Sequence, residues 1–287
     1  MIAALAVALS LLVAGSAEAA PKCVGAAARD PEQRCVSTTK KVTPTPDEAA
    51  ITPNVACTRG EVADACAVGV AGGETVAILG DSHAAHWRAA MEVVAKRKRW
   101  RVLEFARPHC PFSFATPAPT EAGASDCAAY NQRVIGWLAA NPTVTKVFVS
   151  NNARLPMAVK GMDYRRDGDV QALQALPPSV TSLFVLRDPP TDRATSHDCV
   201  RRAVRRKQAP GPACAVPRSR ALVRDPTVLA AQQLGKHVID LSDFFCSKRV
   251  CYPVVGGVLV HKDQDHLTQD FAATLGLFIV RAIDRAG

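Results

Sequence analysis

Thr75-Val76-Ala77-Ile78-Leu79-Gly80-Asp81-Ser82-His83-Ala84 is the stretch on which the fold turns. The apolar run from Thr75 to Leu79 reads as a strand buried on both faces. Gly80 closes it with a residue that tolerates a tight turn. From His86 to Lys98, Trp87, Ala90, Met91, Val94 and Ala95 fall on one helical face, with His86 expected on the helix surface. A strand that passes through Gly-Asp-Ser into a helix sets Ser82 at the strand's C-terminal edge. There, backbone N–H groups of the helix start can hold a negative oxygen. Asp or Ser in front of a helix is equally an ordinary N-cap, so this tripeptide alone does not decide the chemistry.

Outward from this stretch the pattern repeats. Further strands are expected at Arg101–Phe105, Thr145–Ser150, Ser182–Leu186 and Lys236–Leu241. Helices are expected at Cys127–Ala140, with Tyr130, Val134, Trp137 and Leu138 as the apolar face, and at Thr227–Leu234 and Phe271–Ile283. Strands alternating with helices argue for a parallel sheet covered on both faces. Right-handed crossovers then give a three-layer α/β/α sandwich around a five-stranded parallel sheet. Ligands of such folds sit beyond the C-terminal ends of the strands. The loops after Leu79, Phe105, Val149 and Leu186 should therefore share one end of the molecule.

A second motif, Asp263-Gln264-Asp265-His266-Leu267-Thr268, precedes the last helix. A nucleophilic serine needs a base, and the base needs an orienting acid. Asp263 and His266, three residues apart, can face the same way on a tight turn. Asp265, adjacent to the histidine, is expected not to reach its ring.

The early Gly-Asp-Ser and the late Asp-x-x-His together resemble the SGNH (GDSL-type) hydrolase superfamily, whose sheet is flavodoxin-like. The similarity is greatest to SGNH domains that work with multi-pass membrane acyltransferases of bacterial envelopes. It rests on Gly80-Asp81-Ser82-His83-Ala84, Cys110-Pro111, Leu186-Arg187-Asp188-Pro189-Pro190 and Asp263 to Thr268. The resemblance implies Ser82 as nucleophile, His266 as base and Asp263 as its partner. It implies an oxyanion hole from the Ser82 N–H and an asparagine after the third strand, either Asn151 or Asn152. The family's Gly after the second strand is missing from Ala106-Arg107-Pro108, and its Gly-x-Asn-Asp block is absent. His83 and Arg154 are candidates for binding substrate.

The N-terminus differs from the rest. Ile2 to Ala14 is almost wholly apolar and is followed by Ala17-Glu18-Ala19-Ala20. Residues 1–20 read as a signal peptide, or as the remnant of a transmembrane helix. Residues 21–70 read as a disulfide-tied, loop-rich lead-in, and residues 71–287 as the catalytic domain. The mature part has no run long enough to span a bilayer. The ten cysteines fall in neighbouring couples: Cys23 with Cys35, Cys57 with Cys66, Cys110 with Cys127, Cys199 with Cys214, and Cys246 with Cys251. Short loops close with the least entropy, so nearest-neighbour disulfides are expected, in an oxidising compartment. No Cys-x-x-Cys pair or zinc-spaced histidine accompanies them, and neither a metal nor a cofactor is expected.

The net charge of +9 gathers in Lys96-Arg97-Lys98-Arg99 with Arg101, and in Arg201-Arg202 with Arg205-Arg206-Lys207. No recognition motif accompanies the charge, so nucleic acid is not expected as a partner. The resemblance implies an extracytoplasmic O-acyltransferase or acyl esterase acting on envelope glycan esters, with a membrane acyltransferase as possible partner. A free carbohydrate or lipid esterase and a silent glycan-binding domain remain open alternatives.

Overall fold

The computed structural model describes residues 23–33, 35, 37, 39–52, 62 and 65–287. The expected signal segment and Cys57 lie outside the described residues. Six strands form the main sheet: β1 Cys66–Gly69, β2 Glu74–Gly80, β3 Trp100–Ala106, β4 Lys146–Ser150, β5 Ser182–Leu186 and β6 His237–Ile239. Their spatial order is β1-β3-β2-β4-β5-β6. The last five strands run parallel, as expected, in a doubly wound order. The sheet is nevertheless mixed, because β1 pairs antiparallel with β3 at the edge. The end of the lead-in is thus a strand of the sheet.

Alternation along the central strands divides the core. Val76, Ile78, Val102 and Phe148 face one side, and Ala77, Leu79, Leu103, Val147 and Val149 face the other. The first side is covered by α2 (Arg88–Lys98) and α7 (Gln269–Ala286), the second by α3 (Cys127–Ala140), α4 (Met162–Gln174) and α6 (Pro226–Gln233). The single turn α1 (Ser82–Ala85) leads into α2, and α5 (Ser196–Arg205) follows β5 in the chain.

Helix α4 does not follow from an apolar stripe, whereas α5 buries Ser196, Val200 and Ala203 along one face. The middle of α4 is Arg165-Arg166-Asp167-Gly168-Asp169, and its buried face includes Gly168 and Asp169. A Cβ at Gly168 would lie 2.3 Å from the Ala115 amide nitrogen, so the glycine serves close helix–loop packing.

The lead-in wraps the domain. The Ala26 N–H donates to Thr274 Oγ1, Arg281 grips Asp30 through two hydrogen bonds, and Thr43 bridges to Val258. Disulfides join Cys23 to Cys35, Cys110 to Cys127, Cys199 to Cys214, and Cys246 to Cys251. Cys66 is disulfide-bonded as well. Among the described residues, no helix is long and apolar enough to cross a membrane.

Candidate active site

Gly80 ends β2 with φ +144°, and a Cβ there would sit 1.9 Å from the Ser150 carbonyl oxygen. Glycine is required on both counts. Its strand neighbours are Ala106 and Ser150, so the turn opens at the crevice where the winding of the sheet reverses. Asp81 is buried and caps α1, accepting the His83 N–H at 2.8 Å with one oxygen. Its other oxygen accepts the Asn152 N–H at 2.9 Å, tying the Ser82 turn to the loop after β4. Burial raises the Asp81 pKa, against the pull of His83.

From the turn before α7, His266 reaches back across the crevice. Its Nε2 is 2.8 Å from Ser82 Oγ, and its Nδ1 is 2.9 Å from Asp263 Oδ2. Asp263 Oδ1 accepts the N–H groups of Asp265 and His266, which locks the turn. Burial would raise the Asp263 pKa, but His266 and these N–H groups outweigh it and hold the carboxyl well below its usual range. Asp265 does reach the ring, correcting the sequence expectation: its Oδ1 lies 3.2 Å from His266 Nδ1. The tight turn folds adjacent side chains onto the same side, which a count of residues along a helix misses.

Four other positions also depart from expectation. His86 is 3% exposed, not on the surface. The chain leaves α1 inward, packing its ring against His83 and Trp87, 4.8 and 5.4 Å between centroids. Neither ring nitrogen has a hydrogen-bond partner among the described residues, and burial drives its pKa well below normal. His83 is fully buried, so it does not meet substrate directly. Its Nδ1 lies 2.5 Å from Asp188 Oδ1 in the loop after β5. Burial opposes charge on this ring, but the paired carboxylate raises its pKa well above normal.

Asn151 has no amide left for an oxyanion. Its Oδ1 accepts the Phe112 N–H, and its Nδ2 donates to the Phe112 carbonyl and Thr227 Oγ1, all in the core. Arg154 is exposed, but its Nη2 donates to the carbonyls of Arg220 and Ala221, a tie between loops.

Asn152 stands where Asn151 does not. Its backbone is held by Asp81 and by Arg165, whose guanidinium donates to the carbonyls of Asn152 and Ala153 at 2.8 and 2.6 Å. Its Nδ2 points toward the base, with a long 3.5 Å contact to Asp265 Oδ2. Arg165 and Asp188 adjoin the cluster, and sequence reasoning proposed no role for either. Asp188 lies two residues beyond a strand at the ligand-binding edge, a signal that was present. Arg165 carries none.

Two groups hold donor atoms close enough to share a cation: His83, Asp265 and His266, and His83, His86 and Asp188. Neither follows from cysteine spacing, the feature on which the expectation of no metal rested. In both groups the Nδ1 of His83 is at hydrogen-bond distance from Asp188.

A doubly wound α/β/α fold with serine after its first parallel strand, and histidine and aspartate before its last helix, defines the SGNH class of hydrolase folds. Residues 49–280 match the family described as the SGNH domain fused to AT3 domains, and the chain belongs to that family. Among solved structures it is similar to the periplasmic domain of a lipopolysaccharide acetyltransferase from Salmonella ser. Paratyphi A. The TM-score is 0.61 at 15% identity, over 74% of this chain and 84% of that one. It is also similar to a GDSL-like lipase from Bacteroides thetaiotaomicron, with TM-score 0.43 and 9% identity over 75% and 89% of the two chains. An acetylxylan esterase from Geobacillus stearothermophilus gives TM-score 0.43 and 13% identity over 75% and 95%. No curated protein matches the sequence.

Proposed function

We propose that this domain is an extracytoplasmic, serine-dependent O-acyltransferase or acyl esterase that works on envelope glycan esters through an acyl-Ser82 intermediate. The observation that carries the reading is the continuous contact Ser82 Oγ–His266 Nε2–Asp263, at 2.8 and 2.9 Å. A hydroxyl becomes a nucleophile at neutral pH when a base takes its proton and a carboxylate holds that base in the right tautomer. With Nδ1–H directed to Asp263, the lone pair of His266 Nε2 faces the Ser82 hydroxyl.

The steps balance without further reagents. Ser82 Oγ bonds to the acyl carbon as its proton passes to His266 Nε2. The Ser82 N–H and the Asn152 side-chain amide stabilise the resulting oxyanion. Collapse breaks the bond to the leaving oxygen, which takes the proton from His266. An acceptor hydroxyl then gives its proton to His266 and attacks the acyl carbon; as the acyl–Oγ bond breaks, Ser82 Oγ takes that proton back from His266 and the serine is restored.

The family's association with AT3 domains supports a membrane acyltransferase as the acyl source. Disulfides and the basic surface support a place outside the cytoplasmic membrane, near anionic envelope polymer. A second reading, a free esterase, is favoured by one feature: the His266 side chain is 20% exposed, which leaves a path for water.

Hydrolysis of p-nitrophenyl acetate by the oxidised protein, with fluorophosphonate labelling, tests the proposal. Turnover falls by about 10⁴-fold or more in Ser82→Ala and His266→Ala, and labelling is lost in Ser82→Ala. Turnover retained in Ser82→Ala contradicts it. Glycan binding without turnover or labelling in the unmodified protein favours the silent domain.

A further inference from the structure

The mechanism above uses one carboxylate, yet the base is in contact with two. His266 Nδ1 is 2.9 Å from Asp263 Oδ2 and 3.2 Å from Asp265 Oδ1. Behind Asp265 stands His83, whose Nε2 lies 3.7 Å from Asp265 Oδ2. Its other nitrogen faces Asp188 at 2.5 Å. The Asp188 carboxylate is itself fixed, because its Oδ2 accepts the Ala153 N–H at 2.8 Å. From the core outward the order is Asp188, His83, Asp265, His266 and Ser82, alternating acid and imidazole up to the nucleophile.

We propose that Asp188, His83 and Asp265 form a buried relay that holds a second carboxylate against Nδ1 of His266, giving the general base two orienting acids. The inference rests on the acyl-Ser82 reading above, since it assigns a role around that base. All three are positioning residues; none needs to touch substrate.

The physical case has three parts. The first is charge. His83 is fully buried and Asp188 nearly so, and such a pair is retained in the interior only when each compensates the other. An imidazolium at His83 is thereby flanked by Asp188 and Asp265, and it favours ionised Asp265, whose pKa is lowered chiefly by His83.

The second is the unpartnered nitrogen. His83 Nε2 has no hydrogen-bond partner among the described residues, and its nearest acidic neighbour is Asp265. A shift of about one ångström closes that contact into a charge-assisted hydrogen bond.

The third is tautomer. A base whose Nδ1–H has lost its acceptor populates the wrong tautomer and cannot take the serine proton from Nε2. Asp265, already within reach of the same hydrogen, keeps the productive tautomer when Asp263 cannot. When His266 becomes an imidazolium in the reaction, both carboxylates stabilise it.

The groups facing His266 come from four places. Asp263 and Asp265 lie on its own turn, Ser82 and His83 on α1, and His86 immediately after α1. Asn152 comes from the loop after β4, and Asp188 acts through His83 from the loop after β5. Loss of the Asp265 charge removes a negative neighbour that favours the protonated ring. The acid limb of kcat/KM should therefore move to lower pH.

The experiment measures kcat, KM and the pH profile of p-nitrophenyl acetate hydrolysis in the full oxidised chain. It compares Asp263→Asn, Asp265→Asn, the double variant and His83→Gln. Asp265→Asn alone is expected to move the acid limb of the pH profile to lower pH and to lower kcat by about 3–10-fold, with KM unchanged. Asp263→Asn keeps activity within about 100-fold of the unmodified protein, while the double variant drops by about 10⁴-fold, to the level of a base without a carboxylate. His83→Gln reproduces the Asp265→Asn profile and adds nothing to it.

Removing a buried histidine can damage the fold. Asp263→Asn, the half-exposed Asp265→Asn and the double variant are therefore sufficient without it to decide the matter. The relay is overturned if Asp265→Asn leaves kcat and the acid limb unchanged while Asp263→Asn alone falls about 10⁴-fold. It is also overturned if EDTA abolishes turnover and zinc restores it only when His83 is present, since the cluster would then be a cation site. Turnover surviving in Ser82→Ala would defeat the underlying acyl-enzyme reading instead.

Discussion

His266 leaves 20% of its side chain exposed and turns Nε2 toward Ser82. His83, with its ring centroid 5.1 Å away, is fully buried and turns Nδ1 toward Asp188. Both are imidazoles paired with a carboxylate, at opposite edges of one cluster. Exposure separates their uses. On the open side, the proposed mechanism has the ring pass a proton to and from Ser82. On the buried side, charge and counter-charge are locked together, and the pair becomes a fixed post for what surrounds it. The same pairing is thus a moving part in one place and a support in the other.

The largest effect that can break this comparison is on stability. Asp188→Asn leaves a buried ring without its counter-ion and should cost about 3 kcal/mol near pH 7, read by denaturant unfolding. The sign of its pH dependence follows from the raised pKa of His83. The pair's contribution is present in full below the unfolded histidine value of about 6.5 and is lost as pH rises through the folded pKa. The deficit of Asp188→Asn should shrink over that alkaline range; a deficit independent of pH would show that His83 is neutral in the fold.

A smaller effect sharpens the assignment of the oxyanion donor. Asn152→Ala should lower kcat by about 10²-fold with stability little changed. Asn151→Ala should instead destabilise the protein, because it strips hydrogen bonds from Phe112 and Thr227. The reverse pattern would exchange their roles. The smallest effect is at Arg154. Its replacement by Ala should alter KM by no more than about twofold, since its guanidinium is engaged with backbone carbonyls.

The legibility of the sequence divides along the same line. Strands β2 to β5 were readable, because burial on both faces demands continuous apolar runs such as Val76 to Leu79 and Val147 to Val149. Helices α2 and α3 were readable from their apolar faces. Helix α4 was not, since Gly168 and Asp169 face the core for reasons of close approach and hydrogen bonding. Asp169, with its pKa pushed up to about 7 by burial, bonds Thr227 Oγ1 there, a partnership no periodicity reveals.

The contact of Ser82, His266 and Asp263 was legible because the proposed chemistry fixes both residue type and order in the chain. Asp265 and Asp188 were not, since their importance depends on which way a tight turn and a post-strand loop throw their side chains. His86 was misread for a related reason. The helix it was assigned to begins only at Arg88, and the preceding turn carries the ring inward.

The central claim is a covalent acyl-Ser82. The most direct measurement is intact-mass spectrometry of the oxidised protein, acid-quenched during turnover of p-nitrophenyl acetate, followed by peptide mapping. The account predicts a species heavier by one acetyl group, with the adduct on Ser82, accumulating when deacylation is slow and absent in Ser82→Ala. Turnover that is unaffected by Ser82→Ala and leaves no adduct on this serine would contradict it.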